Sequence, residues 1–596
     1  MSNQELLQKI SELEKQIANL PIGSVTQKNV NGKEYYYHRY TENGKRKEKY
    51  IDFENVEALR KQIAERKDLE KELKKLRSKL EIPTKQILED ELNFRTNVRT
   101  GSALKPFAKQ VEKFKKRECF SSLHNFVYGD IQDRVFVLYG LRRTGKTTML
   151  RQLLNEMSDG ELSKSAFIQI SPKDTLADVN KDMALLQKSG FKFVLIDEVT
   201  LMADFIEGAA LFSDLYATCG MKIVLSGTDS LGFMLSQSEQ LYDRCILLHT
   251  TFISYREFEN VLGLKGIDEY IRFGGTMSLG GINYNNDFVF ANKDKTSDYV
   301  DSAIARNIQH SLKYYQDGGH FRHLIDLYDK NELTSAINRV VEDINHRFTK
   351  EVLTKEFISN DLALSARNLR RDRTNPSDVL DRIDIETFTQ NLKKALDILD
   401  KNDQSVKVDD IHATEIKEYL QLLDLIFSID KLSLPNVGVP ESITVISQPG
   451  MRYAQAEALV NNLLLDNVFE ELSLQERNWH TDRILSEIKG RMMEDIILLE
   501  TKLAFPNKHV FKLQFAIGEF DMVICDVPNA TCEIFEIKYS TEAVKEQCKH
   551  LIDEHKCKDT EFRFGIIKGK YVIYRGETKD IDNIHYVNVE EYLKKL

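Results

Sequence analysis

The stretch Val135-Phe136-Val137-Leu138-Tyr139-Gly140-Leu141-Arg142-Arg143-Thr144-Gly145-Lys146-Thr147-Thr148 decides the reading of this 596-residue chain. Five apolar residues in a row predict a strand buried on both faces. Gly140 to Thr147 then fits G-x-x-x-x-G-K-[ST], the phosphate-binding P-loop. The spacing has a physical purpose. Glycines let backbone N–H groups curl around phosphate oxygens, and the helix predicted over Thr147–Glu156 points the positive end of its dipole at them. Lys146 is expected to reach the β- and γ-phosphates of ATP, and Thr147 to place a hydroxyl on Mg²⁺. Gly140, Arg143, Thr144, Gly145, Lys146, Thr147 and Thr148 form the expected nucleotide-binding set.

Some fifty residues on, Phe193-Val194-Leu195-Ile196-Asp197-Glu198 is an apolar strand ending in two acids. Asp197 is expected to hold Mg²⁺ and Glu198 to act as general base on the attacking water. A third strand ends in Leu225-Ser226-Gly227-Thr228-Asp229-Ser230. There Ser226 or Thr228 is expected at the γ-phosphate, against the alternative that Thr228 or Asp229 caps a helix. Arg244 and Arg306 are candidates to neutralise transition-state charge, against the alternative of a surface ion pair. Further buried strands are expected at Ala166–Ile170, Ile223–Leu225 and Cys245–Leu248. Apolar strands alternating with helices imply a parallel sheet covered on both faces.

Together with Phe252-Ile253-Ser254-Tyr255-Arg256-Glu257-Phe258 and Tyr270-Ile271-Arg272-Phe273-Gly274-Gly275, these motifs resemble the archaeal-type ATPases, a branch close to AAA+ and STAND NTPases. The resemblance covers roughly residues 105 to 310. It implies an ASCE-type core followed by a helical lid and winged-helix-like parts, and a nuclease-like domain at the C-terminus.

That C-terminus has its own pattern. Strands are expected at Val510–Phe515, Glu519–Cys525, Cys532–Tyr539, Phe562–Ile567 and Lys570–Tyr574, with a helix near Thr541–Glu554. Glu536 and Lys538, two apart on a strand, share a face, and Asp521 on the preceding strand can meet them. Glu494 lies on an upstream helix and Gln547 on a downstream one. The ordered set resembles the PD-(D/E)xK nuclease superfamily over roughly Thr481 to Tyr574. The resemblance implies that Asp521, Glu536 and Glu494 ligate Mg²⁺ or Mn²⁺ and that Lys538 positions the attacking water. The alternative is a surface strand with solvated charges.

At the other end, Asn31-Gly32 and Asn43-Gly44 mark two hairpin turns, because a type I′ turn needs positive φ at both positions. They predict a meander of Ser24–Val30, Lys33–Tyr40 and Lys45–Ile51, between a helix over Gln4–Ala18 and a charged helix over Glu54–Leu80. Lys28, Lys33, Arg39, Lys45, Arg46, Lys47 and Lys49 interleave with Tyr35, Tyr36, Tyr37 and Tyr40. Such a sheet either grips nucleic acid or makes a small tyrosine core edged by lysines.

At roughly 100–200 residues per domain the length allows about three to five domains. The expectation is a multidomain α/β chain. It comprises a helix–β-meander–helix module (1–82), a P-loop core (105–255), a helical, winged-helix-like region (256–445) and a PD-(D/E)xK domain (446–596). The net charge of −10 confines any basic face to a local patch. Seven scattered cysteines without a C-x-x-C pair argue against a disulfide framework or zinc site and for the cytoplasm. No apolar run of 18 residues suggests a membrane span, and the first residues do not read as a signal peptide. The expected activity is an ATPase whose nuclease domain acts on nucleic acid, DNA before RNA, in defence against foreign DNA. A homo-oligomer is compatible with it. The rival expectations are a STAND-like switch and a DNA motor, each with a C-terminal domain that binds without cleaving.

Overall fold

The computed structural model describes residues 13, 16–17, 20–30, 33–42, 45–78, 92–202, 204–228, 241, 243–276, 290, 292–306, 308–309, 312, 321–358, 408–434, 441–464 and 473–596. The expected first helix falls mostly outside them, as do both Asn-Gly turns, Asp229 and Ser230. Two compact units divide the chain, Met1–Leu92 and Asn93–Leu596.

In the first unit β1 (Ser24–Val30), β2 (Lys33–Glu42) and β3 (Lys45–Ile51) form an antiparallel meander, followed by α1 (Phe53–Ser78). The register closes as Val30 opposite Lys33 and Glu42 opposite Lys45, the two-residue spacing the Asn-Gly dipeptides demand. The tyrosine rings are engaged locally. Tyr36 packs 5.9 Å from Phe53, Tyr37 5.9 Å from Tyr50 and Tyr40 4.9 Å from His38.

The second unit holds two sheets. The first runs β4 (Asn97–Thr100), β6 (Ser165–Gln169), β7 (Phe193–Asp197), β8 (Lys222–Gly227), β5 (Val135–Tyr139), β9 (Cys245–His249). All neighbours are parallel except the edge pair β4–β6. Helices α2 (Lys146–Glu156) and α3 (Leu176–Lys188) follow the strands. Leu138, Leu150, Leu153, Phe167, Leu195 and Val224 are buried in one core, each side chain contributing about 1.5–3 kcal/mol. In this order β8 lies between the P-loop strand and the strand that ends in Asp197, so its tip borders both.

Downstream, α4 (Tyr255–Leu262) and α5 (Ile267–Phe273) are followed by α6 (Arg322–Asp329), α7 (Leu333–Ile358) and α8 (Asp410–Leu422). The expectation of a helical, winged-helix-like region over 256–445 needs correction at its end. β10 (Ile426–Ser433) and β11 (Glu441–Ile446) form an antiparallel hairpin, and β10 pairs in parallel with β12 (His509–Gln514). They belong to an eight-stranded sheet that also contains β13 (Glu519–Asp526), β14 (Thr531–Lys538), β15 (Ile566–Tyr574), β16 (Lys579–Ile581) and β17 (Ile584–Asn588), in the order β11-β10-β12-β13-β14-β15-β17-β16. That sheet therefore begins upstream of residue 446. Helices α9 (Pro449–Leu464) and α10 (Leu474–Ala504) precede β12, α11 (Glu554–Phe564) precedes β15, and α12 (Val589–Lys595) ends the chain.

Near Thr541–Glu554 the expected helix is only a 3₁₀ turn at Lys545–Cys548, with α11 starting at Glu554. Phe562 lies on α11, not on a strand. Residues of α4 and α5, among them Tyr255, Phe258, Tyr270 and Ile271, share one apolar core with Ile484, Ile488, Met492 and Ile497 of α10.

Candidate functional site

Gly140 has φ +136°, and a Cβ there would stand 2.3 Å from the Thr250 carbonyl oxygen, so only glycine lets the loop pass. Gly145 (φ +90°) is the N-cap of α2 and Arg143 also has positive φ. Thr144 is fully buried. Its hydroxyl donates to the Leu141 carbonyl at 2.8 Å and lies 3.0 Å from the Thr250 hydroxyl. Lys146 donates to the carbonyls of Gly140 (2.8 Å) and Leu141 (2.7 Å), and burial pushes its ammonium down to about 8. The Thr147 hydroxyl donates to Asp197 at 2.8 Å, so the loop threonine and the strand-end acid meet as expected. Thr148 is half-buried in the first turn of α2, and Arg143 is exposed on the loop.

Glu198 sits at φ +60°, a left-handed backbone that is uncommon for a residue other than glycine. Burial, then the neighbouring Asp197 charge, raise its pKa; Lys146 and Arg142 oppose them. Thr228 donates to Glu198 at 3.4 Å. The Ser226 hydroxyl, fully buried at the tip of β8, has no hydrogen-bond partner among the described residues. A buried hydroxyl without a partner costs about 1–3 kcal/mol, which a ligand oxygen would relieve.

Arg244 does not join this group. It precedes β9, whose Cys245 lies opposite Val135 at the start of the P-loop strand, and it pairs with Asp214 at 2.9 Å. A five-residue strand at about 3.3 Å per residue separates it from the loop. Arg306 is exposed at the end of the segment Val300–Ala305. That segment is preceded by Tyr299, whose hydroxyl lies 3.5 Å from the Arg142 carbonyl.

Sequence reasoning missed Arg117. Buried and bidentate to Glu257 of α4, it donates from Nη1 to the carbonyls of Thr144 (2.9 Å) and Thr251 (3.2 Å), and from Nη2 to that of Phe252 (3.3 Å). It ties the P-loop to the Ser254-capped helix. The Lys113, Lys115 and Lys116 that precede it gave no signal to single it out.

The second centre lies on β13 and β14. Lys538 Nζ is 2.9 Å from Asp521 and 2.6 Å from Glu536, and the Ile537 N–H donates to Asp521 at 2.8 Å. Asp521 and Glu536 are both buried, and Glu536 Oε1 has no partner among the described residues. Burial and then the Asp521 charge raise the Glu536 carboxyl. Burial also pushes Asp521 up, but Lys538 and Lys512 outweigh it and hold the group low.

Glu494 behaves differently from expectation. It pairs with Arg491 and with Lys512 (3.1 Å). Lys512 also reaches Glu519 (3.1 Å) and Asp521 (3.8 Å). A buried ammonium thus stands between Glu494 and Asp521. Among the described residues no three His, Cys, Asp or Glu side chains form a metal-binding group, so the expected three-carboxylate shell reduces to Asp521 and Glu536. Two carboxylates, one with an orphaned oxygen, suit Mg²⁺, which is held by one or two carboxylates plus water. Gln547 is spent locally, donating to the Glu542 carbonyl and accepting from the Val544 N–H. The signal for Lys512 was present in the sequence as the one charge inside the apolar run Val510–Leu513.

Among the described residues no helix is long and apolar enough to cross a membrane, and all seven cysteines are free thiols. Residues 3–61 match the model of a domain of unknown function. An uncharacterized protein of Methanocaldococcus jannaschii is 22% identical over 248 residues, 37% of this chain and 53% of that one; the match spans about half the length of that relative. Three solved structures are similar at low scores. The Aeropyrum pernix Orc1 protein in complex with DNA is 13% identical, covers 63% of this chain and all of its own, and has a TM-score of 0.22. Cdc6p of Pyrobaculum aerophilum is 12% identical with the same coverage and a TM-score of 0.23. The S. cerevisiae Hsp104–ADP complex is 12% identical over 80% of this chain and 67% of its own, also at 0.23. TM-scores this low do not establish a common fold. The stretch that carries both phosphate-site motifs, residues 132–259, matches the AAA domain model, and with its parallel sheet it forms a P-loop ATPase core.

Proposed function

We propose that this protein is an ATPase whose C-terminal domain is a Mg²⁺-dependent nuclease acting on DNA, with nucleotide at the P-loop controlling the second centre. One observation carries the nuclease reading. Lys538 contacts both Asp521 and Glu536 on adjacent strands, and Glu536 keeps a buried oxygen without a partner among the described residues.

At the P-loop, the Gly140–Thr147 backbone and the N-terminus of α2 hold the triphosphate. Lys146 leaves the Gly140 and Leu141 carbonyls for the β- and γ-phosphates. Thr147 and Asp197, 2.8 Å apart, would hold Mg²⁺, Glu198 would take the proton of the attacking water, and Ser226 would donate to a γ-phosphate oxygen.

At the second centre Asp521 and Glu536 would hold the metal, which would lower the pKa of a water and stabilise the departing oxygen. Lys538 orients that water and offsets the phosphate charge. Lys512, itself paired with Glu494, holds Asp521.

The test is cleavage of plasmid and linear DNA with Mg²⁺ or Mn²⁺, with and without ATP. Wild type should cut, Asp521→Ala should not, and Lys146→Ala should cut without responding to ATP. No cutting by wild type on either substrate, with ATP turnover intact, would remove the nuclease reading and leave a nucleotide switch.

A further inference from the structure

The basic meander of the first unit takes no part in the chemistry proposed for either centre, and its register sorts its residues onto two faces. Residues opposite one another on neighbouring strands share a face, and faces alternate along each strand. Tyr36 stands opposite Gln27 and Ile51, and His38 opposite Val25 and Lys49. That face meets α1. Phe53 lies 5.9 Å from the Tyr36 ring, and the Arg60 guanidinium stands 5.8 Å over it. Its charges nearly balance, with Lys45, Lys47 and Lys49 against Glu34 and Glu42.

The other face carries Tyr37, opposite Thr26 and Tyr50, and Arg39, opposite Ser24 and Glu48. The same alternation places Lys28, Lys33, Tyr35 and Arg46 on it. Four cations therefore share this face with one acid, Glu48, in a chain whose net charge is −10. Glu48 is 2.7 Å from Arg39, whose side chain is still 53% exposed. Tyr50 is also 53% exposed, and its ring meets that of Tyr37 edge-on at 5.9 Å. Along β2 the order on this face is Lys33, Tyr35, Tyr37, Arg39, so cations bracket the tyrosines over about 20 Å of strand.

Cations at the ends of an aromatic strip match a polymer that alternates phosphates with flat bases. A duplex keeps its base faces inside the stack and would leave the rings unmatched. We propose that this sheet face binds an unpaired nucleic-acid strand, with Lys28, Lys33, Arg39 and Arg46 on its phosphates and Tyr37 and Tyr50 against its bases. The site belongs to the first unit and does not rest on the nuclease reading.

The test uses the full chain in EDTA and the fluorescence anisotropy of a labelled single-stranded DNA oligonucleotide and of its blunt duplex, each over a range of salt. Wild type should bind the strand more tightly than the duplex. Lys28→Gln/Arg39→Gln removes two phosphate contacts and should lower the strand's slope of log affinity against log salt by about 1.4. Lys47→Gln/Lys49→Gln removes the same charge from the α1-facing side and should leave strand binding unchanged. Tyr37→Leu/Tyr50→Leu should weaken the strand about tenfold or more, and Tyr37→Phe/Tyr50→Phe, which keeps the rings, should restore it. Equal losses from the two charge variants, a duplex bound as tightly as the strand, or undiminished binding by the leucine variant would overturn the proposal. Strand binding that responds as expected, without any cleavage by wild type in Mg²⁺, would retain this site and remove the nuclease.

Discussion

Replacing Arg117 tests whether the P-loop and the helix after the ATPase sheet form one cooperative piece. The guanidinium and Glu257 are both nearly inaccessible, with side-chain exposures of 5% and 7%. Arg117→Met keeps the length of the side chain and removes the charge. It strands the Glu257 carboxylate, which then retains only the Glu118 N–H (3.0 Å) and the Ser254-capped turn around it. Breaking one partner of a buried pair costs about 3–5 kcal/mol, whereas replacing both by apolar side chains is often close to neutral. The double variant Arg117→Met/Glu257→Met recovers only part here, because the carbonyls of Thr144, Thr251 and Phe252 lose a donor in both variants. The expected coupling in the cycle is therefore about 1–3 kcal/mol. Urea unfolding followed by far-UV circular dichroism measures it, alongside nucleotide affinity, which should fall in both variants because the Thr144 peptide is no longer held. A cost below about 1 kcal/mol for Arg117→Met, or no recovery in the double variant, would refute the view that this pair holds the loop.

Two further outcomes follow from the same geometry. Glu198→Gln keeps the buried shape and the Thr228 contact but removes the base, so ATP turnover should fall by about 10²–10⁴ with ATP binding retained; turnover within a few-fold of wild type would exclude Glu198. Glu500 on α10 accepts the Tyr255 N–H (2.8 Å) and the Tyr270 hydroxyl (3.0 Å), with Arg256 and Glu257 nearby, and burial raises its pKa to about 7. The folded state thus binds the proton more tightly than the unfolded chain, so stability is full below pH ~4.5 and falls by up to about 3 kcal/mol as pH rises through 7. Glu500→Gln should abolish that fall, and thermal melts at pH 5 and pH 8 with the same difference as wild type would contradict it.

What the sequence revealed, and what it hid, follows from local signal. The P-loop strand was legible because five consecutive apolar residues end in a glycine that no side chain can replace. Glu536 and Lys538 were legible because strand geometry puts i and i+2 on one face. β10 was hidden by its own periodicity. Its buried residues Ile426, Ile429 and Leu432 recur every third position, which imitates a helix. Arg244 was misplaced although the polarity of a parallel sheet locates it. A residue just before a strand lies at the end remote from the P-loop. Lys512 is different again. A charge inside an apolar strand announces something unusual, but its three carboxylate neighbours come from α10 and β13, and only the tertiary fold assembles them.

Among the described residues, packed contacts lead from the P-loop to the helix that carries Glu494. Arg117 holds the Thr144 carbonyl and Glu257. The helix bearing Glu257 begins at Tyr255, whose N–H is held by Glu500, and Glu500 lies on the same helix as Glu494, less than two turns away. A second route runs from the Arg142 carbonyl through Tyr299 to Gln448, which donates to the Tyr299 hydroxyl at 2.8 Å. Gly275 packs so closely on Gln448 that a Cβ would stand 2.6 Å from its Cα. Contacts this tight transmit displacement, since close-packed interiors deform little. A phosphate that draws Lys146 off the Gly140 and Leu141 carbonyls removes two hydrogen bonds from the loop that both routes grip. The nucleotide control proposed above would act through that loss.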